Sequence, residues 1–243
     1  MGRAFEYRKA SKLKRWGNMS RVFPKLAKAI TIAAKQGGED PHSNSALRTA
    51  ILNAKAQNLP KTNIESAIKR ATAKDSSNFT EVNFEGKGPF GALIFVECAT
   101  DNNTRTVANI KMYFNKNKGQ IVPTGSLEFL FSRKAIFEFI KPKDMDLDEL
   151  ELELIDAGLE ELECDEDEDS EDGKKVFAYG DYKDFGTLHT KFEELNIELT
   201  KACLQRIPNN PQKFSKEQED EINILLARLD DDDDVQAIYT NIS

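Results

Sequence analysis

Residues 23–71 read FPKLAKAITIAAKQGGEDPHSNSALRTAILNAKAQNLPKTNIESAIKRA, and the spacing of their apolar positions decides the first third of the fold. Phe23, Leu26, Ala27, Ile30 and Ala34 recur at three-and-four spacing, which places them on one helical face, and Gly37-Gly38 offers the left-handed stop a helix end favours. A second stripe, Leu47, Ala50, Ile51 and Ala54, is closed by Asn58 and Pro60. The third helix opens with a capping box from Thr62 to Glu65, in which hydroxyl and carboxylate each satisfy an orphan backbone N–H; Ile64, Ala67, Ile68 and Ala71 follow. The polar faces carry Lys25, Lys28, Lys35, Arg48, Lys55, Lys61, Lys69 and Arg70, opposed by Glu39, Asp40 and Glu65. The stretch therefore predicts three short amphipathic helices with a positive surface.

Upstream, residues 1–22 hold Arg3, Arg8, Lys9, Lys12, Lys14, Arg15 and Arg21 among Phe5, Tyr7 and Trp16, against the single acid Glu6. Such an arm suits phosphates, with aromatics that stack or anchor. Residues 1–78 contain 16 Lys and Arg against 5 Asp and Glu, whereas residues 79–243 contain 18 against 37. The net charge of −8 thus hides a basic end, and asymmetry of this kind points to a polyanionic partner for that end alone. The candidate phosphate contacts are Lys12, Lys14, Arg15, Arg21, Lys25, Lys28, Lys35, Arg48, Lys55, Lys61, Lys69 and Arg70.

The strings AAKQGGEDPHSNSALR (33–48) and NLPKTNIESAIKRA (58–71) resemble the signature of the YebC/PmpR family, whose usual wording is near AAK-x-GG-x-DP-x-x-NP-x-LR and NMPKDNIERAIK. Downstream, EGKGPFG (85–91), TDNNTRT (100–106), GSLEFLF (125–131) and DDVQAIYTN (233–241) are similar to further strings of that family. Ser45, Leu59 and Thr62 stand where the family usually has proline, methionine and aspartate, and the first twenty residues diverge more. The resemblance implies three domains with the third inserted into the second. It also implies two roles: transcriptional regulation through promoter DNA, and a ribosome-associated translation factor that relieves stalling, including at proline-rich stretches.

After a polar linker, the residues predict strand 92–99, helix 104–118, and an alternating strand 126–131. From 133 the order is strand 135–140, helix 146–157, strand 159–164, strand 175–179, helix 182–195 and strand 197–201, the β-α-β-β-α-β of a ferredoxin-like unit. Strand 202–207, helix 215–229 and strand 235–240 then complete the β-α-β left open at Phe131. The expected fold class is α+β: a basic three-helix domain (1–78), a discontinuous ferredoxin-like domain (79–132 plus 202–243), and an acidic ferredoxin-like domain inserted in it (133–201). Two acid runs, 165–172 and 230–234, read as a solvated hairpin tip and loop, or else as surfaces that face the basic domain and compete with nucleic acid for it.

No set of reactive groups converges in the sequence, so no catalytic residue, cofactor or metal site is expected. His42 and His189 lie in different predicted domains, and Cys98, Cys164 and Cys203 never form C-x-x-C. Gly86, Gly88 and Gly91 spell G-x-G-x-x-G, but Pro89 interrupts the motif and a strand follows where a dinucleotide site needs a helix. No apolar run approaches membrane-spanning length, and the unpaired cysteines suit a reduced, cytoplasmic protein. The residues point to a non-enzymatic protein whose basic helices grip nucleic-acid phosphates, and with the resemblance the leading expectation is a regulator of gene expression that binds DNA through them. The alternatives are a ribosome-bound translation factor and a protein-binding adaptor acting through the acidic domains. No membrane or small-molecule substrate is expected.

Overall fold

The computed structural model describes residues 19–72, 78–165 and 174–243. Helix α1 (Met19–Gly37) begins four residues earlier than the apolar stripe indicated and carries Pro24 near its start. α2 (Ser45–Ala56) and α3 (Lys61–Thr72) follow. Ile30, Ala34, Leu47, Ala54, Ile64, Ala67 and Ala71 close a small core of their own. Asn44 stitches its first corner: the buried amide donates to the carbonyls of Ala33 and Gly38, each at 2.8 Å, while its oxygen caps the N–H of Leu47. A side chain at Gly37 would meet that amide at 2.7 Å, which is why the corner takes glycine. The expected Thr62 capping box does not form. α3 starts at Lys61, and its first free N–H groups, those of Asn63 and Ile64, reach the carbonyl of Pro60 instead.

The first sheet has the order β3-β1-β2-β8, all antiparallel, built from β1 (Thr80–Lys87), β2 (Leu93–Thr100), β3 (Gln120–Val122) and β8 (Val235–Thr240). Helices α4 (Asn103–Lys116) and α7 (Lys216–Asp230) cover one face, burying Ile94, Val96, Ile110, Phe114, Leu225 and Leu229. The second sheet, order β5-β6-β4-β7, comprises β4 (Phe131–Ile140), β5 (Leu159–Cys164), β6 (Lys175–Asp181) and β7 (Leu199–Pro208). α5 (Leu147–Ile155) and α6 (Phe185–Glu194) pack on it around Phe137, Phe139, Leu154, Leu188 and Phe192. Its connectivity and order are those of the ferredoxin-like β-α-β-β-α-β unit.

The first sheet shares that spatial order but is wired differently. It takes β1 in place of residues 202–207, and residues 126–130 form a turn and a short 3-10 helix (Glu128–Leu130) rather than a strand, with Phe131 opening β4. Glu85 explains the turn: its buried carboxylate accepts the backbone N–H groups of Gly125 at 2.6 Å and Leu127 at 2.5 Å, so the backbone there turns to face a side chain instead of a neighbouring strand. Residues 202–207 belong to β7, which pairs with β4 from Phe131↔Pro208 to Phe139↔Leu199. A division at 201/202 therefore runs through one continuous strand, and one at 132/133 through β4. The glycine-rich string is a packing device: a Cβ on Gly86 would stand 2.3 Å from the Phe114 ring.

Candidate nucleic-acid interface

The tertiary structure separates the predicted cations into two groups. Arg21, Lys25 and Lys28 all lie on α1, and that face of α1 rests on the acid run 230–234 that joins α7 to β8. Arg21 pairs with Asp231. Lys25 donates to the carboxylate of Asp230 at 2.8 Å and to its carbonyl at 3.0 Å. Lys28 reaches deepest, donating to the carbonyls of Asp233 at 2.7 Å and Ala99 at 3.0 Å and to the Asp234 carboxylate at 3.3 Å. Its ammonium also lies 5.0 Å from the centre of the Phe79 ring.

Asp234 is the centre of this junction. Its buried carboxylate accepts from Arg105 at 2.8 Å and from the hydroxyls of Thr106 and Thr100 at 2.8 and 3.2 Å, all supplied by the TDNNTRT string at the start of α4. Burial pushes the carboxyl upward, but the hydrogen bonds from Arg105 and Thr106 and the charge of Lys28 outweigh it, so it titrates below the ordinary aspartate value. Asp232 is held alongside by Asn109 at 3.1 Å and by the Tyr113 hydroxyl at 3.0 Å. Burial and Asp232 push Tyr113 up to about 12. Burial, with Asp232 and Asp234, does the same to the Cys98 thiol, which therefore stays protonated and inert. Thr100, Arg105, Thr106, Asn109 and Tyr113 escaped the sequence reading. Two strings there, TDNNTRT and DDVQAIYTN, are the two halves of this one site.

Arg48 is also consumed. It bridges Glu193 of α6 at 3.0 Å and donates to the carbonyls of Pro41 and His42 at 2.8 and 3.2 Å. Its neighbour Asn53 forms a two-point contact with the backbone of Ala202, giving its N–H at 2.6 Å and accepting at 3.1 Å, and so covers the open edge of β7. α2 is thus a docking helix. Two polar side chains of α2 that could have reached base edges, Arg48 and Asn53, are thereby occupied within the protein.

Lys55, Lys61, Lys69 and Arg70 form the second group. All four are exposed at the end of α2 and along α3, with Lys35 exposed at the end of α1. Lys61 stands 3.9 Å from Glu65 and its side chain is 89% exposed, and Arg70 makes a 3.4 Å contact to the carbonyl of Ser66. Lys12, Lys14 and Arg15 lie outside the described residues, as does most of the acid run 165–172. Among the described residues no group of three His, Cys, Asp or Glu is arranged to hold a metal, and no helix is long and apolar enough to cross a membrane.

With this arrangement of helical unit, two sheets and shared strings in view, comparison with known proteins gives one answer. Residues 3–74 match the family model of the TACO1/YebC protein N-terminal domain, and residues 79–242 match that of the TACO1/YebC second and third domain. The chain belongs to the TACO1/YebC family. Relatives in Wolinella succinogenes and Helicobacter hepaticus, each named "Probable transcriptional regulatory protein", are 62% and 61% identical, with both chains covered in full. A solved structure, that of a conserved hypothetical protein from Aquifex aeolicus, superposes with a TM-score of 0.73 at 31% identity over 92% of this chain and 89% of that one. At the level of the TACO1/YebC family, these are regulatory proteins.

Proposed function

We propose that this protein is a non-enzymatic regulator of gene expression that binds DNA through the outer face of α3 and the end of α2. The observation that carries the reading is the exposure of Lys55, Lys61, Lys69 and Arg70 on one unit while Arg21, Lys25, Lys28 and Arg48 are occupied. Cations already paired to carboxylates release fewer counterions on meeting phosphate, so among the described residues the exposed set is the one that drives binding. Asn63 and Ser66 share the outer surface of α3 with these cations, which makes α3, rather than α2, the helix that can approach base edges.

A ribosomal RNA target is the second reading, favoured by the loss of the α2 face: a surface of lysines with few base-reading groups grips phosphate without regard to sequence. The test titrates duplex DNA and purified ribosomes with wild type and a Lys55→Glu, Lys61→Glu, Lys69→Glu, Arg70→Glu variant over a range of salt. On the favoured target the variant loses affinity, and the slope of log affinity against log salt falls by about 0.7–0.9 per lost phosphate contact. Equal affinity for the two proteins would refute the site. Loss on ribosomes with no measurable DNA binding by wild type would replace the first reading with the second.

A further inference from the structure

Helix α5 carries a surface that folding alone does not account for. Its sequence, LDELELELI, turns Leu150 and Leu154 into the core yet leaves Leu152 70% and Ile155 51% exposed. Around them stand Asp148, Glu149, Glu151, Glu153 and Asp156, and the helix has no Lys or Arg. Carboxylates at a helix start complement the dipole, but Glu153 and Asp156 lie at the C-terminal end, where they oppose it. Among the described residues the ion pair these carboxylates make is that of Glu153 with Lys191 of α6, at 3.9 Å. Leu152, Glu149 and Asp156 line one wall of a groove of about 1180 Å³ that runs between α5, α6 and the start of α2, with Glu194 on the α6 side and Ser45 and Thr49 opposite. Three cations line it too: Arg48 and Lys191 are paired with Glu193 and Glu153, and Lys183 lies near the start of α6.

We infer that this groove docks a cationic polypeptide segment of a partner protein, an amphipathic stretch whose apolar side chain covers Leu152 while its Lys or Arg residues pair with Glu149, Asp156 and Glu194. With Arg48 and Lys191 already paired, the groove offers an occupant the carboxylates of Glu149, Asp156 and Glu194 against the single ammonium of Lys183, and an exposed leucine beside that acidic excess matches a basic, apolar-anchored peptide rather than nucleic acid. The site is separate from the α3 surface and does not depend on it.

Fluorescence anisotropy with a labelled synthetic amphipathic helix of Leu and Lys, and with a Lys and Ser peptide of equal charge, tests the assignment on the full chain. Leu152→Asp is the decisive variant, because it adds a negative charge while removing the anchor. Docking predicts roughly tenfold weaker binding of the Leu and Lys peptide by Leu152→Asp, and weak binding of the Lys and Ser peptide throughout. Glu149→Gln with Glu194→Gln should weaken it too. Binding by Leu152→Asp as tight as wild type, or tighter, would mean bulk charge attraction and would overturn the groove. So would equal binding of the two peptides, or none by wild type. Sedimentation equilibrium of the chain alone gives the remaining outcome: a dimer lost in Leu152→Asp would assign the face to a second copy and refute the partner.

Discussion

Lys28→Glu separates the structural cations from the binding ones. In the folded protein the Lys28 side chain is 14% exposed and that of Asp234 6%, and the ammonium is shared by two carbonyls and a carboxylate. Reversing the charge removes all three hydrogen bonds and aims a carboxylate at Asp234 and Asp233. Breaking one partner of a buried pair costs about 3–5 kcal/mol, and the residual exposure of Lys28 places this case near the lower end, at about 3 kcal/mol. For a chain of this size each kcal/mol shifts the melting temperature by about 2–4 °C, so a drop of about 6–12 °C is expected. Lys61→Glu, at an 89% exposed side chain, should melt with the wild type and lose nucleic-acid affinity instead. Differential scanning calorimetry with a parallel binding titration reads both. Combining Lys28→Glu with Asp234→Asn should recover part of the loss, because the repulsion between them is then gone. A Lys28→Glu protein that melts with the wild type yet no longer binds nucleic acid would refute the reasoning and return Lys28 to the interface.

Further outcomes follow from the same geometry. Because the Asp234 carboxyl titrates below its ordinary value, its stabilisation is complete above about pH 4 and is lost as pH falls through the lower folded-state value; Asp234→Asn should flatten the acid limb of a melting-temperature profile against pH. Asn53→Ala strips both amide contacts from the edge of β7 and should cost about 1–3 kcal/mol, seen in denaturant titration, with hydrogen exchange at the Ala202 amide accelerated more than in the centre of the second sheet. Gly86→Ala drives a methyl group into the buried Phe114 ring and should cost about 1–3 kcal/mol in thermal melts without changing nucleic-acid affinity.

Local chemistry made much of this architecture legible. Ser215 and Gln218 form a capping box at the start of α7, and Asp146 caps α5 through the N–H groups of Asp148 and Glu149. The second sheet was readable because apolar runs such as AIFEFI (135–140) and VFAYG (176–180) are separated by capped helical segments and turn residues. β1 was missed because TEVNFEGK is polar and half exposed, and it becomes a strand only through its full-length pairing with β2. The error at 126–131 has the opposite cause: SLEFLF alternates like a strand, yet the Glu85 carboxylate, some forty residues away, claims the backbone amides that a strand would offer.

By itself the sequence determined which segments are helices, that one end of the chain is basic and the rest acidic, and, through its motif strings, the family. Periodicity, capping and net charge are properties of neighbours along the chain, so they survive without coordinates. Only the tertiary structure decided which lysines are available. Lys28 and Lys61 look alike in sequence, each on the polar side of a short helix, but one is held by residues some seventy and two hundred positions away and the other faces water. A charge is free or spent according to what the folded chain brings within a few ångströms of it, and no local pattern encodes that distance.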